Sequence, residues 1–342
     1  MKTLAVELRG GQVRGGAPNT RTRIVPVQVP GLDPDLRQLF ENAYPTFVDT
    51  CRAVDEPGVA VVALDELTGR VAGIACLRAR VDRHVSAIVG RHDRCDLFLD
   101  GSDRHALRQL AVVMSPVRNW RAGASDVSYR LLDLRTADGM VDETGRSLRG
   151  LRSEGAAVVS CAGYVIYALP LGDATSWPTS ASDAWACLPE RVYFDEIERM
   201  AEGSVVHPPV ANRSPGTTLV RRISGPRDSA CGLVDRGDSA GRLLLAGPSG
   251  QGVIEVGHEA LRDGVLIGRY DRCDGRGLCD DPAMSRVHAL VLLVDNRLLA
   301  IDVASTNGTG EVGQPDARIV ELLDGTEVEL AGSTRVRWRW SP

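Results

Sequence analysis

An internal repeat constrains the fold of this 342-residue chain more than any other feature of the sequence. Residues 88–96 read IVGRHDRCD and residues 266–274 read LIGRYDRCD, so the two segments match almost position for position. Further matching clusters follow each segment in the same order along the chain. A repeat of this period predicts two copies of one domain-sized fold.

The two later clusters differ in chemistry between the halves. Residues 102–106 match 285–289, and residues 133–140 match 302–309. The aligned pairs that matter for binding are Ser102 and Ser285, Asp103 and Arg286, His105 and His288, Ala137 and Thr306, and Asp138 and Asn307. The second half therefore keeps a cation, a hydroxyl and an amide where the first half has two carboxylates and a methyl group.

Hydrophobic patterning predicts an all-β protein. Short apolar or alternating runs recur in both halves, separated by turns rich in Gly, Asp and Arg. Residues 59–64 and 107–114 are examples in the first half, and residues 289–294 and 298–303 are examples in the second. We expect two antiparallel β-sandwiches joined by a linker with a short helix.

The composition along the chain predicts four regions. Residues 1–56 form an N-terminal arm with a possible edge strand at 23–29 and a helix near 35–49. Residues 57–170 form the first sandwich, and residues 171–215 form a linker rich in Pro, Ser, Thr and Ala. Helical propensity at 189–201 places the short helix in that linker. Residues 216–342 form the second sandwich.

Charge and apolar runs exclude several functional classes. The net charge of −5 and pI of about 5.8 give no general attraction to nucleic acid or to an anionic membrane. Residues 335–340 read RVRWRW, but strict alternation indicates a sandwich strand instead of a nucleic-acid surface. No apolar run is long enough to span a membrane, and the N-terminus lacks a signal-peptide pattern. We expect a cytoplasmic protein without direct membrane insertion.

Cysteine usage and cation choice add little functional information. The eight cysteines lack the paired short spacings of a zinc site, so we expect reduced structural thiols and no metal or cofactor. Almost all basic residues are arginine, which indicates the codon bias of a GC-rich, bacterial genome.

Three clusters in the second half have the chemistry of a phosphate site. They are Gly268–Arg269, Ser285 through His288, and Asp302 through Thr309. A doubly charged phosphate is bound by guanidinium forks, hydroxyls and backbone amides presented by a tight turn. The clusters, in this order and with β segments between them, resemble a forkhead-associated (FHA) domain, a β-sandwich that binds phosphothreonine. The resemblance covers about residues 241–340 in strong form and about 57–170 in degenerate form.

The resemblance implies a role for each site residue. Arg269 is the primary phosphate anchor, and Arg286 adds a second cation at the rim. Ser285 and Thr306 supply hydroxyls to the phosphate. Asn307 resembles the family residue that clamps the peptide main chain, because an amide offers both a donor and an acceptor.

Other residues of the same clusters support the site. His288 braces the site loops by hydrogen bonds in the family pattern, with no contact to phosphate. Gly308 provides a turn with positive φ, and Gly268 precedes the anchoring arginine. A hydrolase that used Ser285 and His288 would need an orienting acid and an oxyanion site, which the sequence does not indicate. We therefore expect no enzyme.

The first copy is predicted not to bind phosphothreonine. It keeps Arg91, Ser102 and His105 but has Asp103, Ala137 and Asp138 where the second copy has a cation, a hydroxyl and an amide. A carboxylate about 4 Å from a phosphate would cost on the order of several kcal/mol. We expect this copy to pack against its neighbour or against a protein partner.

Two functions remain open from the sequence. The first is a non-catalytic adaptor in Ser/Thr kinase signalling, whose second domain binds a phosphothreonine-containing protein such as a kinase or its substrate. The second is a phosphate-independent structural scaffold of a larger assembly, such as a secretion machine. Loss of partner capture after phosphatase treatment or in Arg269→Ala would distinguish the adaptor from the scaffold.

Overall fold

The computed structural model describes residues 36–100, 107–117, 127–195, 217–223, 239–248, 250–274, 281–312 and 317–341. The edge strand predicted at 23–29 lies outside these residues. Within them the chain is mostly β, and its helices are α1 (Leu36–Arg52), α2 (Ala181–Cys187) and α3 (His258–Asp263), with a 3-10 turn at Ala174–Ser176. Helix α1 agrees with the helix predicted near 35–49.

The N-terminal sandwich is built mainly from the first eleven strands. These are β1 (Gly58–Asp65), β2 (Val71–Arg78), β3 (Val85–Gly90), β4 (Leu97–Phe98), β5 (Leu110–Met114), β6 (Tyr129–Asp133), β7 (Met140–Asp142), β8 (Ser147–Leu148), β9 (Gly150–Ser153), β10 (Ala157–Cys161) and β11 (Tyr164–Leu171). Its outer sheet has the strand order β2-β1-β11-β10-β7-β8. Its inner sheet contains β9-β6-β5-β3-β4 and is extended by two later strands.

The C-terminal sandwich contains the strands that follow residue 238. These are β14 (Ser239–Gly247), β15 (Gly250–Gly257), β16 (Val265–Ile267), β17 (Ala289–Val294), β18 (Arg297–Asp302), β19 (Thr309–Glu311), β20 (Ile319–Glu321), β21 (Glu327–Leu330) and β22 (Thr334–Trp340). Its outer sheet has the order β15-β14-β22-β21-β19, and its inner sheet has the order β16-β17-β18-β20.

The two sandwiches share one strand order. The series β2-β1-β11-β10-β7 in the N-terminal outer sheet corresponds strand for strand to β15-β14-β22-β21-β19. In the inner sheets, β3-β5-β6-β9 corresponds to β16-β17-β18-β20. The same connections therefore place corresponding loops at corresponding ends of both sandwiches.

The linker region does not have the predicted structure. The helix predicted over 189–201 is wrong for residues 190–195, which form β12 (Glu190–Asp195), and the short helix of the linker is α2. Strand β13 (Thr217–Ile223) lies within the range predicted for the second sandwich, but it pairs antiparallel with β9 of the N-terminal sandwich. Strand β12 pairs parallel with β13, so the hydrogen bonds of both strands extend the N-terminal inner sheet.

Helix α1 covers the outer face of the N-terminal outer sheet. Its buried side chains include Phe40, Tyr44 and Phe47. Tyr44 and Phe47 pack against the ring of Trp177, Phe40 packs against Trp185, and all three share one cluster with Ala60, Val62 and Leu64 of β1. Every residue from Gly58 to Leu64 is buried because β1 has apolar neighbours on both faces. The predicted arm therefore ends in a helix that belongs to the first sandwich.

The inner sheets of the two sandwiches pack against each other. Each sheet uses the face that points away from the core of its own sandwich. Ala111 and Val113 of β5 meet Leu290 and Leu292 of β17 in one buried cluster, while the alternate residues of both strands point into the two sandwich cores. Strands buried on both faces have continuous apolar sequences, and residues 110–114 read LAVVM while residues 289–294 read ALVLLV. The sandwiches therefore form one continuous unit within residues 35–342.

Trp338 and Trp340 lie on the same face of β22 but differ in burial. Trp338 is fully buried in the core, whereas Trp340, two residues later in β22, is 40% exposed. We expect Trp338→Ala to lower the free energy of unfolding by about 3–5 kcal/mol through lost burial and a residual cavity. Urea denaturation followed by circular dichroism measures the change.

Trp340→Ala is the matched control for that variant. The Trp340 ring contacts Trp338 edge to face, and such a pair contributes about 0.5–1.5 kcal/mol. Equal losses of stability in the two variants would contradict the deeper burial of Trp338 in the sandwich core.

Candidate functional site

Strand register brings the three predicted clusters to one end of the C-terminal inner sheet. Ile267 at the end of β16 pairs with Ala289 at the start of β17, and Ala289 pairs with Asp302 at the end of β18. The loops that begin or end at these three residues must therefore be neighbours. They carry Arg269, the segment 281–288 and the segment 303–308.

Ser285 and Thr306 form the floor of the site. The Thr306 amide donates to Ser285 Oγ at 2.9 Å, and Ser285 Oγ lies 3.4 Å from Thr306 Oγ1. Ser285 is buried, while Thr306 is exposed. The structure thus joins the two hydroxyl residues that the sequence assigned to separate clusters.

Two exposed arginines flank this pair. The Arg269 amide donates to the carbonyl of Ser285 at 3.3 Å, and its Nε donates to the carbonyl of Met284. The Nε bond fixes the plane of the guanidinium, and its terminal nitrogens make no hydrogen bond to the described residues. Arg286, directly after Ser285, is also exposed. The arrangement offers two guanidinium groups to an anion from solvent.

Asn307 presents its acceptor end to solvent. Its Nδ2 donates to the carbonyl of Ala283 at 2.7 Å, which joins the two loops and fixes the amide plane. Asn307 is exposed, and its Oδ1 accepts no hydrogen bond from the described residues. The side chain is therefore oriented to accept one N–H from an extended peptide.

His288 connects the two loops behind the site. Its Nδ1 accepts the Ser285 amide at 3.1 Å, and its Nε2 lies 2.9 Å from the carbonyl of Gly308. An amide can only donate and a carbonyl can only accept, so the ring is the neutral tautomer with its proton on Nε2. Burial lowers the pKa of His288, against the opposing effect of the Gly308 carbonyl. The imidazole has no exposed surface and does not reach the ligand side.

A carboxylate inside the turn holds the loop after β18. Asp302 Oδ1 accepts the Ser305 amide at 2.9 Å, and Asp302 Oδ2 accepts the Thr309 hydroxyl at 2.8 Å. The Gly308 amide donates to Ser305 Oγ at 3.0 Å. Sequence reasoning assigned no role to these three polar side chains, although an Asp followed three residues later by Ser is a recognisable turn signal.

Two glycines are required by geometry. Gly308 has a φ of 80°, in the region that favours glycine. At Gly268, an added Cβ would lie 2.4 Å from the carbonyl oxygen of Arg286, so only glycine lets the two loops approach. Glycine is therefore the residue that both positions accept without backbone strain or a steric clash.

The register of the N-terminal sandwich differs from the sequence alignment. The Gln109 amide donates to the carbonyl of Val89 as the His288 amide donates to that of Ile267. Gln109, and not His105, therefore occupies the position of His288. The Leu107 carbonyl accepts the His92 amide as the Arg286 carbonyl accepts the Tyr270 amide, so Leu107, and not Asp103, corresponds to Arg286. Ser102, Asp103 and His105 lie outside the described residues.

The third cluster keeps the alignment made from sequence. Asp133 Oδ1 accepts the Thr136 amide as Asp302 Oδ1 accepts the Ser305 amide, which places Ala137 and Asp138 at the positions of Thr306 and Asn307. Ala137 and Asp138 are exposed, whereas Arg91 is half-buried. The N-terminal sandwich thus has a carboxylate where the C-terminal site has an amide.

Comparisons identify the C-terminal region. The FHA domain family model matches residues 265–331, so the chain contains an FHA domain there, a type of domain that binds phosphothreonine peptides. The match does not extend to the N-terminal sandwich. It places the three loops of the site within the matched region, and among the comparisons only this binding domain is identified, with no catalytic domain.

Solved FHA domains are similar to part of this chain. Rv1747 FHA-1 of Mycobacterium tuberculosis is 23% identical over 30% of this chain and 100% of its own, with a TM-score of 0.25. The FhaA FHA domain, complexed with the intracellular domain of Rv3910, is 25% identical over 29% of this chain and 100% of its own, with a TM-score of 0.24. The yeast Dun1 FHA domain, in complex with a doubly phosphorylated peptide derived from Rad53 SCD1, is 22% identical over 34% of this chain and 84% of its own, with a TM-score of 0.25. A search of the curated proteins finds no match.

Across the described ranges, no helix is long and apolar enough to cross a membrane. The same residues contain no group of three or more His, Cys, Asp or Glu side chains that could hold a metal ion.

The brace formed by His288 predicts a pH-dependent stability. The pKa of His288 is lower in the folded protein than the value of about 6.5 in an unfolded chain. Below pH 6.5 the unfolded state binds a proton that the folded state, with its lower His288 pKa, still excludes. The stability that neutral His288 contributes is therefore present above pH 6.5 and is lost as the pH falls. His288→Gln removes this effect, and the stability difference between the parent and the variant should shrink from pH 7.5 to pH 5.

Glutamine is the appropriate replacement because Gln109 occupies the same position in the N-terminal sandwich. Urea unfolding of the parent and of His288→Gln at the two pH values gives the comparison, and His92, whose pKa burial also lowers, is present in both proteins. A stability difference that does not change with pH would mean that His288 does not titrate in this range.

Proposed function

We propose that this protein is a non-catalytic adaptor in Ser/Thr kinase signalling that binds phosphothreonine segments through its C-terminal FHA domain. The observation that carries the proposal is the position of Arg269 and Arg286, two exposed arginines beside the bonded pair of Ser285 and Thr306. A phosphothreonine has about −1.5 to −2 charges and three acceptor oxygens, which match two guanidinium groups and a hydroxyl.

Two parts of the site recognise different groups of the ligand, one the phosphate and the other the peptide main chain. Arg269, Arg286 and the Thr306 hydroxyl bind the phosphate oxygens, because they are the exposed donors around the buried Ser285. Asn307 Oδ1 accepts an N–H of the peptide main chain, because its Nδ2 is already bonded to Ala283. The site therefore selects a phosphorylated residue in an extended segment, and other loops select the side chains around it.

The N-terminal sandwich is, in this proposal, a degenerate FHA copy that does not bind phosphothreonine. Three observations support it: the shared strand order, the matching turn bonds around Asp133 and Asp302, and the exposed carboxylate of Asp138 at the position of Asn307. Leu107 at the position of Arg286 removes the second cation. Its inner sheet instead packs on the C-terminal sandwich.

Removal of Arg269 tests the ligand class. Hydrogen bonds to charged groups contribute roughly 1.5–3 kcal/mol each, so Arg269→Ala should weaken binding of a phosphothreonine peptide by about 10-fold to 150-fold. A phosphothreonine peptide library on the intact chain identifies a ligand, and isothermal titration calorimetry measures its affinity for both proteins.

Arg242→Ala is the matched control for Arg269→Ala. Arg242 is an exposed arginine of the same sandwich that pairs with Glu255 on β15, away from the site loops. Arg242→Ala therefore removes the same charge as Arg269→Ala without changing the site. Partner capture that persists in Arg269→Ala and after phosphatase treatment would favour the phosphate-independent scaffold.

Binding stoichiometry tests the assignment of the N-terminal sandwich. One functional site predicts one phosphothreonine peptide per chain, and Arg269→Ala should remove that site without revealing another. Calorimetry on the full-length chain measures both values. A second peptide bound in the parent, or one peptide retained at unchanged affinity in Arg269→Ala, would show that the N-terminal sandwich binds the ligand.

A further inference from the structure

The loop that carries Thr306 and Asn307 is held from behind by the N-terminal sandwich. Arg108 Nε donates to the carbonyl of Val303 at 2.6 Å, and Arg108 Nη2 donates to the carbonyl of Ala304 at 2.6 Å. Arg94 Nη1 donates to the next carbonyl, that of Ser305, at 2.9 Å. Three consecutive carbonyls of the site loop are therefore bonded to arginines of the other sandwich.

Arg108 is placed to act as a rigid support. Its side chain is buried with only 4% of the residue exposed, and Val303 and Ala304 are buried as well. A guanidinium has donors in a fixed plane, so bonds to two adjacent carbonyls set the orientation of that stretch of backbone. Ala304 has a φ of 59°, a conformation that costs energy for a residue with a side chain and persists only where its surroundings impose it.

The opposite side of the same loop is bonded within its own sandwich. The Ser305 amide donates to Asp302, the Thr306 amide to Ser285, and the Gly308 amide to Ser305. The amides of Ser305, Thr306 and Gly308 are thus satisfied by the C-terminal sandwich, and the carbonyls of residues 303–305 by the N-terminal sandwich. Loss of the arginine would leave buried carbonyls without their donors, and the loop would relax toward conformations that satisfy them.

We propose that Arg108 of the N-terminal sandwich is a positioning residue for the phosphopeptide site of the C-terminal sandwich, because it fixes the backbone from which Thr306 and Asn307 reach the ligand. The inference rests on the proposed function for its ligand, but not for the loop geometry. It gives the degenerate copy a task at the site: the N-terminal sandwich keeps the ligand-binding loop in its binding conformation.

The alternative to positioning is simple adhesion between the sandwiches. Arg130 also crosses the interface, where its Nη1 donates to the carbonyl of Arg262 at 3.0 Å, outside the three site loops. It contributes an arginine-to-carbonyl bond of the same type. If Arg108 only holds the sandwiches together, removal of either arginine should have the same consequences for the site.

Hydrogen exchange of the peptide-free protein tests positioning without any ligand. Arg108→Met keeps an unbranched apolar stem in the interface but removes the donors. We expect the amides of Thr306 and Gly308 to exchange about tenfold faster in Arg108→Met, because the loop opens locally. Arg130→Met should leave these two amides as in the parent. Arg108→Lys, which keeps the charge but not the planar fork, should give an intermediate rate.

Peptide binding supplies the second readout on the same intact proteins. We expect Arg108→Met to bind the phosphothreonine peptide about tenfold more weakly, chiefly through faster dissociation, with partial rescue in Arg108→Lys and no change in Arg130→Met. Thermal unfolding identifies any variant that loses its fold, in which case Arg108→Lys alone decides the comparison.

The outcomes separate this inference from the proposed function. Equal exchange rates and affinities in Arg108→Met and the parent, or equal effects of Arg108→Met and Arg130→Met, would overturn positioning. If Arg269→Ala abolishes binding while Arg108→Met does not weaken it, the proposed function stands and the positioning role fails. If no phosphothreonine peptide binds but exchange at Thr306 responds to Arg108→Met alone, the positioning role stands and the ligand assignment fails.

Discussion

The face-to-face packing of the two inner sheets is the constraint on which the rest of the structure depends. Strands β5 and β17 contribute alternate residues to their own cores and the remaining residues to the shared interface. At about 25 cal/mol per Å² of apolar surface, burial on both faces disfavours separation of the sandwiches in water. The interface therefore places arginines of the N-terminal sandwich next to the loop at residues 303–308.

At the edge of this apolar contact, arginines of each sandwich donate hydrogen bonds to backbone carbonyls of the other sandwich. Arg108 and Arg94 donate to carbonyls of the loop that follows β18. In the other direction, Arg272, which corresponds to Arg94 in the repeat, donates to the carbonyls of Arg135 and Arg108. A pair of similar sandwiches that pack through the same face would make contacts of this kind in both directions. The loop that corresponds to residues 303–308 is thus supported in both sandwiches, although only the C-terminal sandwich has Thr306 and Asn307.

Local patterns in the sequence predicted many of the strands, but not the long-range partners of those strands. The apolar runs at 110–114 and 289–294 indicate strands, yet nothing in them shows that the second covered face belongs to the other sandwich. The helical propensity at 189–201 is overridden in residues 190–195, because β12 pairs with β13 in a sheet formed by distant residues. The similarity of His105 to His288 was misleading, because backbone hydrogen bonds select Gln109 for that position.

The difference between Gln109 and His288 follows from what each side chain has to connect. His288 joins the Ser285 amide to the Gly308 carbonyl through two nitrogens on opposite sides of one ring, which spans two loops. Gln109 Nε2 instead donates to the Thr136 hydroxyl at 2.7 Å, within the turn that starts at Asp133. A ligand site needs its two loops held at a fixed separation, whereas a packing surface only needs its turn closed. Under the proposed function the C-terminal sandwich has to keep its loops in a binding geometry, which agrees with His288 at this position and with an amide at Asn307 and a carboxylate at Asp138.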